Sequence, residues 1–118
     1  MAGEVKRAVR VAEGVRQELA TLIARKVRDP RVVGVVIARV VLSDDLRNAK
    51  VYVRLLEGDE SRRAEALTGL ARASGMLRHD VTKTLKLRVA PELSFYYDEG
   101  QDKQTRIEEL LDEIRRGR

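Results

Sequence analysis

Between residues 34 and 57 the apolar residues change their spacing, and that change narrows the folds open to the chain. Upstream, Val5, Val9, Ala12, Val15, Leu19, Leu22 and Ile23 recur at steps of three and four, the apolar stripe of a surface helix over residues 4–27. The Asp29-Pro30 pair ends it, because the residue before proline is pushed out of the helical region. Residues 34–43 (GVVIARVVLS) then form a β-branched run of strand length. Residues 49–57 (AKVYVRLLE) alternate, with Val51, Val53 and Leu55 on one face and Lys50, Tyr52 and Arg54 on the other. Asp44-Asp45-Leu46-Arg47-Asn48 between the two runs is turn chemistry, so they read as an antiparallel hairpin.

Helical spacing returns over residues 60–73 through Ala64, Leu67, Leu70 and Ala71, and again over residues 76–87 through Met76, Leu77, Val81 and Leu85. Ala73-Ser74-Gly75 lies between them. Gly in a helix interior costs about 1 kcal/mol relative to Ala, and Ser competes for backbone hydrogen bonds. An unbroken helix over residues 60–87 would be about 40 Å long, against a three-stranded sheet about 14 Å wide. A kink is therefore expected at Ala73, Ser74 and Gly75, leaving backbone N–H groups open beside Arg72 and Arg78. Pro91 is read as the stop of the second segment. Leu93, Phe95 and Tyr97 alternate with Ser94 and Tyr96 as a third strand. A last helix follows, with Thr105 and Glu108 placed for a capping box and Ile107, Leu110, Leu111 and Ile114 in one stripe. The expected fold is α+β: a three-stranded sheet covered by helices on one face, in the order α-β-β-α-kink-α-β, plus a C-terminal helix. Residues 1–100 form the main domain; residues 101–118 form an amphipathic helix and a basic tail.

Several chemistries are absent. The chain has 118 residues, no cysteine, no tryptophan and one histidine, His79. Disulfides, thiolate nucleophiles and zinc sites built on Cys and His are excluded. No GxxxxGK[ST] phosphate loop and no GxxG pair occurs. His79 reads as a surface basic residue, Asp44 and Asp45 as turn formers, and Glu108, Glu109, Asp112 and Glu113 as a solvated helix face. No catalytic residue, metal or cofactor is expected. No apolar run approaches a membrane span of roughly 20 residues, and the simplest setting is bacterial cytoplasm. With aromatics at 3%, the core must be aliphatic.

The net charge of +5 is unevenly spread. Residues 1–40 carry nine Lys/Arg against four Asp/Glu, and residues 61–90 seven against two. Between Ala66 and Leu87 the one acid is Asp80, facing Arg72, Arg78, Lys83 and Lys86. Such stripes suit a phosphate backbone, or they are solvated helix faces. The first helix adds Lys6, Arg7, Arg10 and Arg16, with Arg25, Lys26, Arg28 and Arg31 at its end. The outer sheet face would carry Arg39, Lys50, Tyr52, Arg54 and Tyr96, where the tyrosines either stack bases or are amphipathic residues of a sheet edge. The expected nucleic-acid contacts are Arg7, Arg10, Arg28, Arg31, Arg72, Ser74, Gly75, Arg78, Lys83 and Lys86. A basic DNA-binding regulator is the alternative, with the kinked helix pair imitating a helix-turn-helix although strands flank it.

The succession of short segments resembles the ribosome-binding factor A family. The matching pieces are Asp29-Pro30-Arg31; Val40-Val41-Leu42-Ser43 with Asp45-Leu46 and Ala49-Lys50-Val51-Tyr52-Val53; Ala73-Ser74-Gly75 with Leu77-Arg78; and Leu87-Arg88-Val89-Ala90-Pro91-Glu92-Leu93-Ser94-Phe95 with Asp98. The resemblance implies a type II KH-like domain whose GxxG loop is replaced by a helix–kink–helix around an Ala-x-Gly interruption. It also implies a non-enzymatic maturation factor that binds the free or immature 30S subunit near the decoding region. Such factors assist late assembly and 5′-end processing of 16S rRNA and matter most at low temperature. The implied partners are 16S rRNA within the small subunit and a GTPase assembly factor that promotes release, with the protein itself a monomer.

Overall fold

The computed structural model describes residues 2–100 and residue 114. Helix α1 (Ala2–Arg25) is followed by a 3-10 turn (Pro30–Val32), strands β1 (Val35–Leu42) and β2 (Asn48–Leu55), helix α2 (Glu60–Thr84) and strand β3 (Glu92–Tyr97). The sheet order is β1-β2-β3. The hairpin pairs β1 with β2 antiparallel, and the long return through α2 brings β3 in parallel to β2. A parallel neighbour requires such a crossover, and a helix is its usual form. This is the expected α+β, KH-like arrangement, with helices on one face of the sheet.

The buried stripe of α1 runs through Ala8, Ala12, Val15, Leu19, Leu22 and Ile23. It matches the expected stripe except at its start. Val9 is 67% exposed and Ala8 takes its place, because steps of four, three and four back from Leu19 reach Ala8 and leave Val9 a sixth of a turn or more off the contact line. The helix ends four residues before Asp29. Asp29 instead caps the 3-10 turn: its backbone is extended, as a residue before proline must be, and its side chain accepts a hydrogen bond from the Arg31 N–H at 3.0 Å.

In the hairpin, Ala49, Val51 and Val53 point into the core and Lys50, Tyr52 and Arg54 point away from it. Asp45 is a turn former, as expected. It accepts from the Ser43 hydroxyl at 2.7 Å and the Arg47 N–H at 3.1 Å, which holds its carboxyl below the ordinary range. Strand β1 contains a feature that alternation alone does not show. Its register shifts between Ile37, opposite Val53, and Arg39, opposite Tyr52. The extra residue, Ala38, is a bulge. It lets Ile37 be buried while Arg39, two residues on, faces outward with Tyr52.

Helix α2 runs unbroken through Ala73, Ser74 and Gly75, where a kink is expected. Asp59 caps its N-terminus, and 25 residues follow without interruption. Ser74 and Gly75 are ordinary helical positions. The Ser74 hydroxyl donates to the Ala71 carbonyl at 2.7 Å, so it bonds within the turn that carries it. Gly75 lies on the solvent side with nothing near its missing Cβ. The opposite side buries Ala66, Leu70, Leu77 and Val81. Each fully buried aliphatic side chain is worth roughly 1.5–3 kcal/mol, which outweighs the glycine penalty. Nor must the helix, about 37 Å long by its rise, fit within the width of the sheet. Its first half packs on the 3-10 turn, where a Cβ on Gly69 would lie 2.9 Å from Val32 and 3.2 Å from the Asp29 carboxylate. Its C-terminal end reaches α1, where Leu85 lies 3.6 Å from the Cβ position of Gly14.

The stop of α2 is also earlier than Pro91. Lys86 adopts a left-handed conformation, φ 54°. Its N–H bonds the Lys83 carbonyl at 3.2 Å, and the Leu87 N–H bonds the Thr82 carbonyl at 3.0 Å. This pair of bonds is a Schellman cap with lysine where glycine is usual.

The core is one aliphatic cluster, with Val15, Leu19, Val51, Val53, Leu70, Leu77 and Val81 at 0% exposure. The expected capping box at Thr105 and Glu108 and the stripe Ile107, Leu110 and Leu111 lie outside the described residues. Ile114 is helical and exposed.

Candidate nucleic-acid interface

The outward side of α2 presents Arg72, Gly75, Met76, His79, Lys83 and, at the cap, Lys86, all exposed. The spacing of Arg72, His79, Lys83 and Lys86 follows the three-to-four step of one helix face. Ala71 and Gly75 keep the middle of that face low. Asp80, the one acid of the stretch, is turned to the flank toward α1. It accepts from Lys26 Nζ at 2.9 Å, and this hydrogen bond is the main cause of its lowered pKa. Its charge is thereby neutralised within the fold. Between the two helices lies a groove of about 500 Å³, where Arg25, Lys26 and Lys83 meet Asp80 and Glu18.

The other arginines of α2 have different work. Arg78 donates from Nε and a terminal nitrogen to the Ala90 carbonyl at 3.2 and 2.8 Å, and it lies 3.5 Å from the Glu92 carboxylate. It ties α2 to the segment that leads into β3. Arg62 donates to the carbonyls of Arg31 and Val33 at 3.4 and 3.2 Å. Arg63 lies over the Tyr97 ring, 4.3 Å from its centroid.

The structure divides the ten expected contact residues. Arg72, Gly75, Lys83 and Lys86 share the outward face of α2. Ser74 is half-buried, with its hydroxyl engaged. Arg78 is engaged as described. Arg31 grips the Asp29 carboxylate, with its terminal nitrogen at 2.6 Å, and these hydrogen bonds lower the Asp29 pKa to about 2. Arg28 is exposed in the same loop. Arg7 and Arg10 are exposed on the first turns of α1, about 28 and 24 Å along the helix axis from Lys26 at 1.5 Å per residue. The expected free N–H groups beside Arg72 and Arg78 are not available, because the unbroken helix uses them. The same continuity removes the helix-turn-helix of the alternative reading.

Two residues escaped the sequence reading. Gly69 lets the 3-10 turn approach α2, and the signal for it was only a glycine in a helical stretch. Lys26 was counted with the basic end of α1, but its role as the partner of Asp80 is a tertiary contact across 54 positions. Among the described residues no group of three or more His, Asp or Glu could hold a metal ion. Also among them, no helix is long and apolar enough to cross a membrane.

A family model described as ribosome-binding factor A matches residues 7–111. The chain is 54% identical over 119 residues to the ribosome-binding factor A of Sorangium cellulosum, covering 99% of this chain and 95% of that one. Its fold is similar to the solution NMR structure of a putative ribosome binding factor A from Thermotoga maritima, with a TM-score of 0.69 and 38% identity over 80% of this chain and 89% of the other. It is also similar to a homology model of Thermus thermophilus ribosome binding factor A fitted into a cryo-EM map of a 30S complex, with a TM-score of 0.58 and 29% identity over 70% of this chain and 86% of the other. Matched by the family model over most of its length and by a relative at more than half identity, the chain belongs to the ribosome-binding factor A family.

Proposed function

We propose that this protein binds the free or immature small ribosomal subunit and contacts 16S rRNA through the outward face of α2. The observation that carries the reading is the exposed stripe of Arg72, His79, Lys83 and Lys86, with Gly75 open at its centre and the flanking acids Asp80 and Asp29 held by Lys26 and Arg31. Family membership supports the choice of partner, as does the Thermus thermophilus relative fitted into the map of a 30S complex. Exposed cations in a row release counterions when they meet phosphates, so affinity falls steeply with salt. Arg28 at the loop and Arg25 beside Lys83 extend the positive surface toward α1. Arg7 and Arg10 form a separate outer contact.

The mechanism is physical. The protein holds one conformation of the RNA, favouring late assembly and 5′-end processing of 16S rRNA, and then leaves. It carries no catalytic step of its own. The need for such a holder is greatest at low temperature, where misfolded RNA rearranges slowly, and a GTPase assembly factor supplies the release. The protein acts as a cytoplasmic monomer, with residues 1–100 as the RNA-binding domain and residues 101–118 as an appended helix and basic tail. Gradient sedimentation with separated ribosomal particles tests the reading. Recovery with free small subunits and not with large ones is expected; equal recovery with both, or none with small subunits, would overturn it.

A further inference from the structure

The face of the sheet turned away from the helices carries a second arrangement suited to RNA. Tyr52 on β2 and Tyr96 on β3 are register partners, with ring centroids 5.6 Å apart and planes tilted by 31°. On the other neighbouring strand, the bulge at Ala38 turns Arg39 to the same face, and its guanidinium carbon lies 4.2 Å from the Tyr52 ring centroid. Arg39, Tyr52 and Tyr96 thus form a row across all three strands. Among the described residues β3 is an edge strand, so the row ends on Tyr96, which is 44% exposed. Lys50, two residues from Tyr52 on this face, is exposed and makes no ion pair among the described residues. The nearby acids are occupied: Asp98 is buried and holds Arg54 at 3.0 Å, and Glu92 faces Arg78.

We infer that the outer sheet face is a single-stranded RNA contact, in which an unpaired base stacks on Tyr96 and its phosphate lies against Lys50. The inference rests on the reading of the protein as an RNA binder, but it uses the opposite layer of the fold from α2. An aromatic row ending in an exposed ring offers a π-face to any base, and the adjacent lysine supplies the charge that a phosphate needs. Base-paired RNA keeps its bases stacked on one another and has none to offer. The face therefore selects single strands without reading their sequence.

The chain has three tyrosines and no tryptophan, so stacking on Tyr96 is read directly as a change in tyrosine emission. The probe is a short oligoadenylate, titrated at several salt concentrations. Quenching of tyrosine emission is expected with the single strand and not with a duplex of the same length. Tyr96→Ala should weaken binding about 5-fold or more without altering the salt slope, and Tyr96→Phe should bind like the parent. Lys50→Ala should lower the slope by about 0.7, the value of one single-strand phosphate contact. Thermal melts of the variants separate lost stacking from lost folding. Unchanged emission at saturation, or parental binding by a folded Tyr96→Ala variant, would overturn the inference. So would polyglutamate competing as well as the RNA, which would assign the face to an acidic protein. If the protein sediments with small subunits yet shows no quenching, this inference fails and the role of α2 stands. If quenching occurs without sedimentation, the reverse holds.

Discussion

Two sets of arginines on α2 carry the same charge and serve different ends. Arg62, Arg63 and Arg78 lie along the flanks of the helix, where each meets a carbonyl or a ring belonging to another element. They fasten the helix to the 3-10 turn, to β3 and to the segment before it. Arg72 faces out with Lys83 and Lys86; its charge acts on nearby Asp29, but among the described residues it donates no hydrogen bond to another element. A count of charges over residues 61–90 treats these side chains alike. Only those whose donors are not already committed are free to meet phosphate, so the effective interface is smaller than the net charge implies. The same division holds around α1. Arg31 is held by Asp29 and Arg16 by Glu13, with its Nε at 2.9 Å, whereas Arg7, Arg10 and Arg28 are exposed.

Removing the outward set should have the largest effect. Replacing Arg72, Lys83 and Lys86 together by Ala should abolish co-sedimentation with small subunits at moderate salt. Melting stability should change by no more than about 0.5 kcal/mol per site, the range for ordinary surface positions. If that variant binds like the parent, the outward face is only a solvated surface.

The next largest effect concerns the two glycines of the helix. Gly69→Ala would bring a Cβ to 2.9 Å from Val32, and overpacking of that kind costs about 1–3 kcal/mol. Gly75→Ala meets nothing and gains helix propensity, so it should stabilise by about 0.5–1 kcal/mol. Denaturant unfolding of both variants checks the opposite signs. Two losses would mean that Gly75 is needed for a bend after all.

Arg78→Ala removes two charge-assisted hydrogen bonds to Ala90 from a half-exposed side chain. It should cost about 1–2 kcal/mol in the same measurement. Acid unfolding gives a smaller signal from the loop beside Gly69. The folded-state pKa of Asp29, about 2, lies below its unfolded value near 3.9. Its contribution is therefore complete above about pH 4 and is lost as the pH falls toward 2. Asp29→Asn should lower the melting temperature at neutral pH and leave it nearer the parent's at pH 2.

Much of this architecture was legible because hydrophobic period survives folding. The α1 stripe, the hairpin and its turn, the third strand and the aliphatic core follow from spacing and composition. Ser74 and Gly75 do not interrupt the helix, because they are helix breakers only where nothing else holds it, and here Leu70, Leu77 and Val81 hold it from behind. The early stop at Leu85 had no glycine to announce it, since Lys86 takes the left-handed position itself. The Ala38 bulge left no mark beyond a β-branched run, yet it decides where Arg39 points. For the interface, residue type and stripe identified the right helix. The separation of Arg72 from Arg78 was not legible, because the partner of Arg78 is a backbone carbonyl twelve residues away.

Those two arginines, six positions apart on one helix, offer the most direct test. The affinity of the protein for small subunits should be measured across a salt series for the parent, Arg72→Ala and Arg78→Ala, each shown to be folded at the temperature used. Loss of one phosphate contact should lower the log–log slope by about 0.7–0.9 for Arg72→Ala. The slope of Arg78→Ala should remain that of the parent. An equal fall in both slopes, or a fall in Arg78→Ala alone, would contradict the division of α2 into an outward binding face and structural flanks.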